Sequence, residues 1–343
     1  MDKDLCVLGP VSSLLLWRAS RCGLIDLSQP DEMQPDLSRC HARIRDMRQL
    51  DLVRMLGNVP LDSIVGDRAK SHNGTLHTIV LAGKMPPGSF VRVGQGLCAC
   101  SPELCFALLG RGGQVIRLAE LGLELCGTYA IMPDQSGRSC TCSALTDKKR
   151  LSAYVDLLGH RHGLTVARKV LRLVTEGSGL PRETSLFLAL TAPARLGGYG
   201  LRRPELNAKV SVLQRTSTVS TPKTCVASQL YRDDRGKKVL AVDSCGMGAL
   251  SKTQCREALE GDGIDVVDIT LTDTMSMSRL EPKALRVARL LGEPVRPSKG
   301  LLLQRRSELF GLLFGESRWN VEHEVLCQLA GYGRPISRKR RVA

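Results

Sequence analysis

The sequence predicts an α/β protein in which a mixed sheet flanked by helices follows an α+β first half. After about residue 164, helical and extended segments alternate in the order helix, three strands, helix, strand, helix. A chain of 343 residues is long enough for two domains that each bury a core. Its 43% hydrophobic and 24% charged residues are ordinary for a globular protein and exclude wholesale disorder.

The first half mixes short helices and strands. Residues 11–18 have the pattern of a helix, and residues 77–82 have that of a strand. Ser101 is a candidate N-cap, because Pro102 suits a first helical turn and Glu103 suits the positive end of the helix dipole. We therefore expect a helix to begin at this point.

The second half carries the alternation. Pro181 belongs in a first helical turn, and Ser251 with Gln254 forms a capping box. The expected helices cover residues 164–175, 178–191, 251–261, 281–291, 301–313 and 321–329, and the expected strands lie near residues 208–213, 226–232, 238–243 and 266–270. The last strand is expected to join the sheet through a right-handed crossover.

These elements predict four segments along the chain. An α+β domain covers residues 1–145, a polar linker residues 146–164, an α/β domain residues 165–300, and a helical extension residues 301–343. The extension ends in a run of basic residues at 338–341, which is either a solvated end or an additional phosphate contact.

Charge and composition restrict the partners. A net charge of +15 and an isoelectric point near 9.5 suit a protein that meets nucleic acid, although a soluble basic surface is the alternative. Aromatic residues make up only 3% of the chain, which argues against recognition by stacked bases. No apolar run approaches the roughly 20 residues of a membrane helix, so no membrane partner is expected.

The 13 cysteines follow no apparent signal peptide, so reduced thiols in a cytoplasmic protein are expected. Two pairs, Cys98 with Cys100 and Cys140 with Cys142, lack the spacing of most structural zinc sites. Buried or incidental cysteines are therefore favoured over a zinc site.

Three carboxylates are the candidate catalytic residues. Glu183 shares a helix face with apolar residues, Asp234 follows a strand, and Asp243 ends the next apolar strand. We expect the short hairpin to bring Asp234 and Asp243 within reach of one Mg²⁺, with Glu183 as a supporting group. The alternative for Glu183 is a first-turn residue that binds backbone N–H groups, without a metal. The alternative for Asp234 is an aspartate that stabilises an ordinary turn.

Residues 165–297 resemble the very-short-patch-repair (Vsr-like) endonuclease branch of the PD-(D/E)XK nucleases. The resemblance lies in residues 180–184, residues 197–207, residues 256–270 and the order of elements. It implies a restriction-endonuclease-like mixed sheet, a helix glutamate, an aspartate after one strand and an acid ending the next. It also implies a Mg²⁺ cofactor and a DNA substrate.

Residues 12–18, 100–106 and 121–129 resemble the C-terminal region of AbiEi-type antitoxins, which precedes such nuclease-like domains in many actinobacterial proteins. This resemblance implies a toxin or other protein partner.

The acidic motif departs from the nuclease pattern. Asp243 is followed by Ser244, Cys245 and Gly246, and no histidine occurs between His162 and His323. No lysine stands two residues after the acid, so a group that would activate water is missing from the usual place. Loss of catalysis is therefore one hypothesis for this chain.

Three hypotheses follow for the function. The first is a Mg²⁺-dependent DNA endonuclease with an atypical active site. The second is a catalytically inactive, antitoxin-like regulator that binds DNA, and the third is a protein-interaction module. The side chains expected to hold phosphate in the first two are Lys237, Lys238, Lys252 and Arg256.

Overall fold

The computed structural model describes residues 5–27, 31–42, 61–70, 76–134, 137–159, 164–215, 220–233, 235–246, 251–315, 326 and 329–331. The chain forms two compact units. Unit 1 contains residues 1–174 and 319–343, and unit 2 contains residues 175–318. The described chain is a mixed α/β structure, as the sequence predicted.

Unit 1 contains a six-stranded sheet in the order β2-β5-β6-β1-β3-β4. Its strands are β1 (Cys6–Leu8), β2 (Glu32–Met33), β3 (Asp62–Val65), β4 (His77–Val80), β5 (Phe90–Gly94) and β6 (Leu97–Cys100). A separate hairpin pairs β7 (Tyr129–Ile131) with β8 (Ser139–Thr141). β1 is central, antiparallel to β3 and parallel to β6, which explains why all three of its residues are buried.

The helices of unit 1 are α1 (Pro10–Arg21), α2 (Pro102–Leu109), α3 (Val115–Leu125), α4 (Lys148–Leu157) and α5 (Leu164–Val170). Pro10 opens α1, and the Asp62 carboxylate accepts the backbone N–H groups of Val11 at 2.9 Å and Ser12 at 2.7 Å. Asp62 lies in β3, so a side chain from the sheet caps the start of α1. Ser101 caps α2 through the Leu104 N–H, which confirms the predicted start of this helix.

The predicted boundary between the halves is replaced by a later one. Residues 148–157, expected within a linker, form α4, in which Leu151 and Val155 are fully buried. Asp147 caps α4 by accepting the Arg150 N–H at 2.7 Å, so the polar stretch begins a helix. The helix predicted at residues 164–175 belongs to unit 1 as α5, and unit 2 begins only at Thr175.

Unit 2 has the predicted order of elements. α6 (Pro181–Thr191) precedes β9 (Glu205–Arg215), β10 (Ser220–Arg232) and β11 (Lys238–Gly246), and then come α7 (Lys252–Gly261), β12 (Asp265–Val267), α8 (Met277–Leu290) and α9 (Gly300–Phe314). The sheet order is β12-β11-β10-β9, with β9, β10 and β11 antiparallel. β12 runs parallel to β11, which requires a crossover connection, and α7 lies within it.

Local signals set several ends in unit 2. Pro181 occupies the first turn of α6, and both halves of the Ser251 and Gln254 capping box are present at the start of α7. α8 begins at Met277, four residues before the predicted start, and contains Pro282. The helix predicted over residues 321–329 and the basic run at 338–341 lie outside the described residues, except for isolated positions.

The core of unit 2 lies between the sheet and α7. It includes Val210, Ala227, Cys255, Leu259 and Val266, each at most 2% exposed. Cys225 on β10 and Cys255 on α7 form a disulfide across this core, with Cα atoms 5.8 Å apart. The expectation that all cysteines are reduced is therefore wrong for this pair, which tertiary packing brings together across 30 residues of sequence.

Within the described ranges, no helix is both long and apolar enough to cross a bilayer.

Candidate functional site

Glu183 lies in the first turn of α6, and its half-buried carboxylate accepts three hydrogen bonds. The Gly179 N–H and the Asn207 side-chain amide donate to Oε2 at 2.9 and 2.8 Å, and the Ser228 hydroxyl donates to Oε1 at 3.0 Å. A carboxylate offers about four lone-pair directions, so most of its capacity is used within the fold. Glu183 therefore ties α6 to β9 and β10.

The segment before α6 is shaped for this contact. A Cβ at Gly179 would stand 2.9 Å from the Asn207 amide nitrogen and 3.3 Å from Glu183 Oε2, so a side chain at residue 179 would displace the bond. Pro181 lacks an N–H at the helix start, where that group would otherwise need a partner. The Glu183 carboxylate accepts the Gly179 N–H. This bond agrees with the alternative prediction that a first-turn Glu183 binds backbone N–H groups.

Asn207 of β9 donates a hydrogen bond to the Glu183 carboxylate. Its φ of 48° is in the left-handed region, where asparagine is better tolerated than other residues with a side chain. The Asn207 amide also donates to the Gly177 carbonyl at 2.8 Å, so a single side chain joins β9 to the entry of α6. This arrangement fixes the amide that contacts Glu183.

The sheet register places Asp243 close to this site. Ala227 pairs with Ser244 and Gln229 with Val242, so the backbone of Asp243 lies at the register position opposite Ser228. Ser228 is only 8% exposed and contacts Glu183 directly. The structure thus brings the backbone of Asp243 to the strand position beside the Glu183 contact. The Asp243 side chain lies outside the described part of the structure.

Asp234 itself lies outside the described residues, but its neighbours form the turn between β10 and β11. Asp233 Oδ1 accepts the Arg235 and Lys237 N–H groups at 2.9 and 2.8 Å. Asp243 is five residues along β11 from Lys238, which corresponds to about 17 Å of strand. A tight hairpin therefore does not by itself bring the turn and Asp243 to one cation. Asp243 lies inside β11, which continues to Gly246, so the prediction that Asp243 ends the strand is wrong.

The predicted phosphate-binding residues divide into two groups. Lys252 and Arg256 of α7 contact the Asp268 carboxylate, each at 3.1 Å, and Arg256 also pairs with Glu260 at 3.0 Å. Their charge is therefore partly neutralised. Lys237 is exposed in the turn, and Lys238 is half-buried at the start of β11.

Asp273, in the turn between β12 and α8, is held in its ionised form. Burial acts to raise the pKa of Asp273, but hydrogen bonds from the Thr270 N–H and hydroxyl, with the charges of Lys283 and Arg279, lower it below its ordinary value. The Asp273 carboxylate stabilises the turn that precedes α8.

Lys209 is an exposed cation on the sheet face that carries Ser228. Lys209 on β9 is exposed and pairs in register with Val226, two residues from Ser228. Side chains on a strand alternate between faces, so Val226 and Ser228 share one face, and α7 covers the other through Cys225. Within the described ranges, Lys209 makes no ion pair. Sequence reasoning missed Lys209, Asn207 and Ser228, and no local pattern marks them.

The described residues do not by themselves fit a Mg²⁺ ion, which prefers several oxygen ligands in near-octahedral geometry. In the part of the chain that the structure describes, no group of three or more histidine, cysteine or acidic side chains is placed to hold a metal. Glu183 faces donors from Gly179, Asn207 and Ser228, all of which a cation would have to displace.

No protein-family model, no curated protein and no solved structure matches this chain.

Proposed function

We propose that unit 2 is a nuclease-like nucleic-acid-binding module in which Glu183 stabilises the fold and takes no part in cleavage. The observation that carries this proposal is the set of three hydrogen bonds on the Glu183 carboxylate. A carboxylate committed to neutral donors of its own fold is poorly placed to ligate a metal or orient water. A restriction-endonuclease-like, Vsr-related architecture is part of this proposal, supported by the order of elements and the mixed sheet.

Nucleic acid is the proposed ligand because of charge. The chain carries 49 Lys and Arg against 34 Asp and Glu, and phosphate binding by such cations releases condensed counterions. Lys209 and Lys237 are exposed and, within the described residues, without ion pairs, whereas Lys252 and Arg256 share Asp268. In this proposal Lys209 and Lys237 contact phosphate more strongly than Lys252 and Arg256.

Salt-dependent binding of duplex DNA tests the proposal. The full chain should bind a labelled duplex with an affinity that falls linearly on a log-log plot against salt. Lys209→Ala and Lys237→Ala should each lower the slope by about 1, since each removes about one phosphate contact. Arg256→Ala is the matched control and should have a smaller effect. Absence of binding at low salt would refute the proposal and favour the protein-interaction hypothesis.

A Mg²⁺-dependent endonuclease remains the second candidate, because one observation favours it. The register places the backbone of Asp243 opposite Ser228, beside the Glu183 contact. Nicking of supercoiled DNA that requires Mg²⁺ and disappears in Asp243→Asn would support this function. Equal nicking by the wild-type chain and Asp243→Asn would contradict a catalytic role for Asp243. A chain that binds DNA without Mg²⁺-dependent nicking would leave the inactive module as the function.

A further inference from the structure

Three half-buried thiols meet in unit 1, where α1, the end of α3 and the β7–β8 hairpin come together. Cys22 follows α1 as its C-cap residue, Cys140 lies in β8, and Cys142 follows β8. The Cys22 and Cys140 sulfurs are 2.7 Å apart although 118 residues separate them in sequence. Non-bonded carbon atoms are most stable at roughly 3.5–4.0 Å, and sulfur is larger. The two sulfur atoms are therefore closer than an ordinary non-bonded contact.

We propose that Cys22 and Cys140 are a redox-active pair that closes to a disulfide on contact with a small-molecule disulfide, and so joins the end of α1 covalently to β8. The two thiols give up two protons and two electrons as the sulfur–sulfur bond forms. The small disulfide accepts both, its own sulfur–sulfur bond breaks, and two small thiols leave.

The surrounding structure holds the two sulfurs in place. Arg21 donates to the Gly127 carbonyl at 2.8 Å, to the Glu124 carbonyl at 3.1 Å and to the Ser143 carbonyl at 2.8 Å, so the residue before Cys22 is fastened to the chain just beyond Cys142. One turn earlier, Arg18 pairs with Glu124 at 2.6 Å inside the core. These contacts hold the chain before Cys22 and the chain after Cys142 in fixed positions.

A disulfide fits the geometry better than a metal site does. Thiolates about 2.3 Å from a tetrahedral Zn²⁺ lie about 3.8 Å from one another, well beyond the distance between Cys22 and Cys140. The Arg21 guanidinium is close enough to Cys142 to oppose the rise that burial causes in its pKa, and this positive charge disfavours a cation at the same place. In the described chain, no group of three such side chains satisfies metal geometry.

The protonation of the thiols determines how quickly the pair responds. Burial raises the pKa of Cys22 to about 12, and burial raises that of Cys142 to about 11 against the opposing charge of Arg21. Cys22 therefore carries little thiolate at neutral pH, so its attack on a disulfide is slow and accelerates about tenfold for each pH unit below its pKa. A thiol of high pKa is also a poor leaving group, so the bond persists once it has formed.

The test is peptide mapping of the full chain after incubation with oxidised glutathione. Trypsin cleaves after Arg21 and Arg39 and after Arg138 and Lys148, so Cys22 is the only cysteine of its peptide, and Cys140 and Cys142 share a second. Alkylation before digestion should leave these two peptides cross-linked. The initial rate of cross-link formation should rise about tenfold between two near-neutral pH values one unit apart.

Serine variants identify the partner and serve as matched controls. Cys142→Ser should retain the cross-link, and Cys140→Ser and Cys22→Ser should each lose at least nine-tenths of it. The wild-type chain should also unfold on the order of 10 °C higher after incubation with oxidised glutathione than before it, since the bond closes a loop of more than 100 residues. No reductant is added to either sample, so the Cys225–Cys255 disulfide is closed in both. This measurement does not depend on a variant that folds.

Three results would overturn the proposal. One is a cross-link that persists in Cys140→Ser and disappears in Cys142→Ser. Another is stable glutathione adducts on Cys22 or Cys140 without closure. The third is protection of all three thiols from alkylation by added Zn²⁺ with no cross-link on oxidation, which would indicate a metal site.

Discussion

Replacing Glu183 distinguishes a structural carboxylate from a catalytic one. Glu183→Ala removes the acceptor for the Gly179 N–H, the Asn207 amide and the Ser228 hydroxyl. Glu183→Gln keeps nearly the same shape without the charge. Its amide oxygen can take the place of Oε2 and accept from Gly179 and Asn207, and its amide nitrogen can donate to the Ser228 oxygen.

The magnitude follows from these three bonds. Hydrogen bonds to a charged group contribute about 1.5–3 kcal/mol each, but the site is half-buried, so water replaces part of the loss. We expect Glu183→Ala to lower the free energy of unfolding of unit 2 by about 3 kcal/mol, roughly 1 kcal/mol for each bond. We expect Glu183→Gln to lower it by about 1 kcal/mol, because the bonds persist in weaker, neutral form.

Urea unfolding of the full chain is the assay, with Glu257→Ala as the control. Glu257 is an exposed glutamate on α7, so its replacement should change the stability by less than about 0.5 kcal/mol. DNA affinity should be unchanged in Glu183→Gln. Equal stability of Glu183→Ala and wild type would refute the structural role. Unchanged stability of Glu183→Gln combined with complete loss of Mg²⁺-dependent nicking would identify Glu183 as a catalytic group.

Other predictions concern groups elsewhere in the two units. Arg18→Met leaves the Glu124 carboxylate, 2% exposed, without its buried cation, and should lower the stability of unit 1 by about 3 kcal/mol in urea unfolding; Arg138→Met, at an exposed ion pair, should cost less than about 0.5 kcal/mol. Gly179→Ala places a Cβ 2.9 Å from an amide nitrogen and should cost about 1–2 kcal/mol in the same assay, and no change would contradict the tight contact. The folded pKa of Asp273 is below its unfolded value, so its contribution to stability is complete above about pH 4 and is lost as the pH falls through the folded pKa. Asp273→Asn should flatten the acid limb of the stability profile, and an identical limb in both proteins would contradict this assignment.

Sequence signals that act within one helical turn gave reliable positions. Pro181, the Ser101 cap and the capping box of Ser251 with Gln254 all occur where the sequence predicted them. The order of elements in the second half is also confirmed, because apolar periodicity and turn residues report on each segment separately. The polar stretch after residue 145 predicted a linker, whereas residues 148–157 form a helix. Polar residues begin a helix as readily as they form a linker.

The candidate site was only partly accessible to sequence reasoning. Glu183 was found because an acid on an apolar helix face needs a partner. Its actual partners, Asn207 and Ser228, are 24 and 45 residues away, and nothing near Glu183 specifies them. The expected meeting of Asp234 and Asp243 assumed that a short turn brings strand ends together, whereas Asp243 lies five residues further along β11 than Lys238.

By itself, the sequence determined the class of structure, the alternation of helices and strands, the helix caps and the basic charge of this protein. Each of these depends on composition or on residues within about one helical turn of one another. The tertiary structure alone decided that Glu183 is bound by the fold, that unit 2 begins at Thr175, and that Cys22 meets Cys140 across 118 residues. Those contacts follow from sheet register and packing, in which distant segments become neighbours only after the chain has folded.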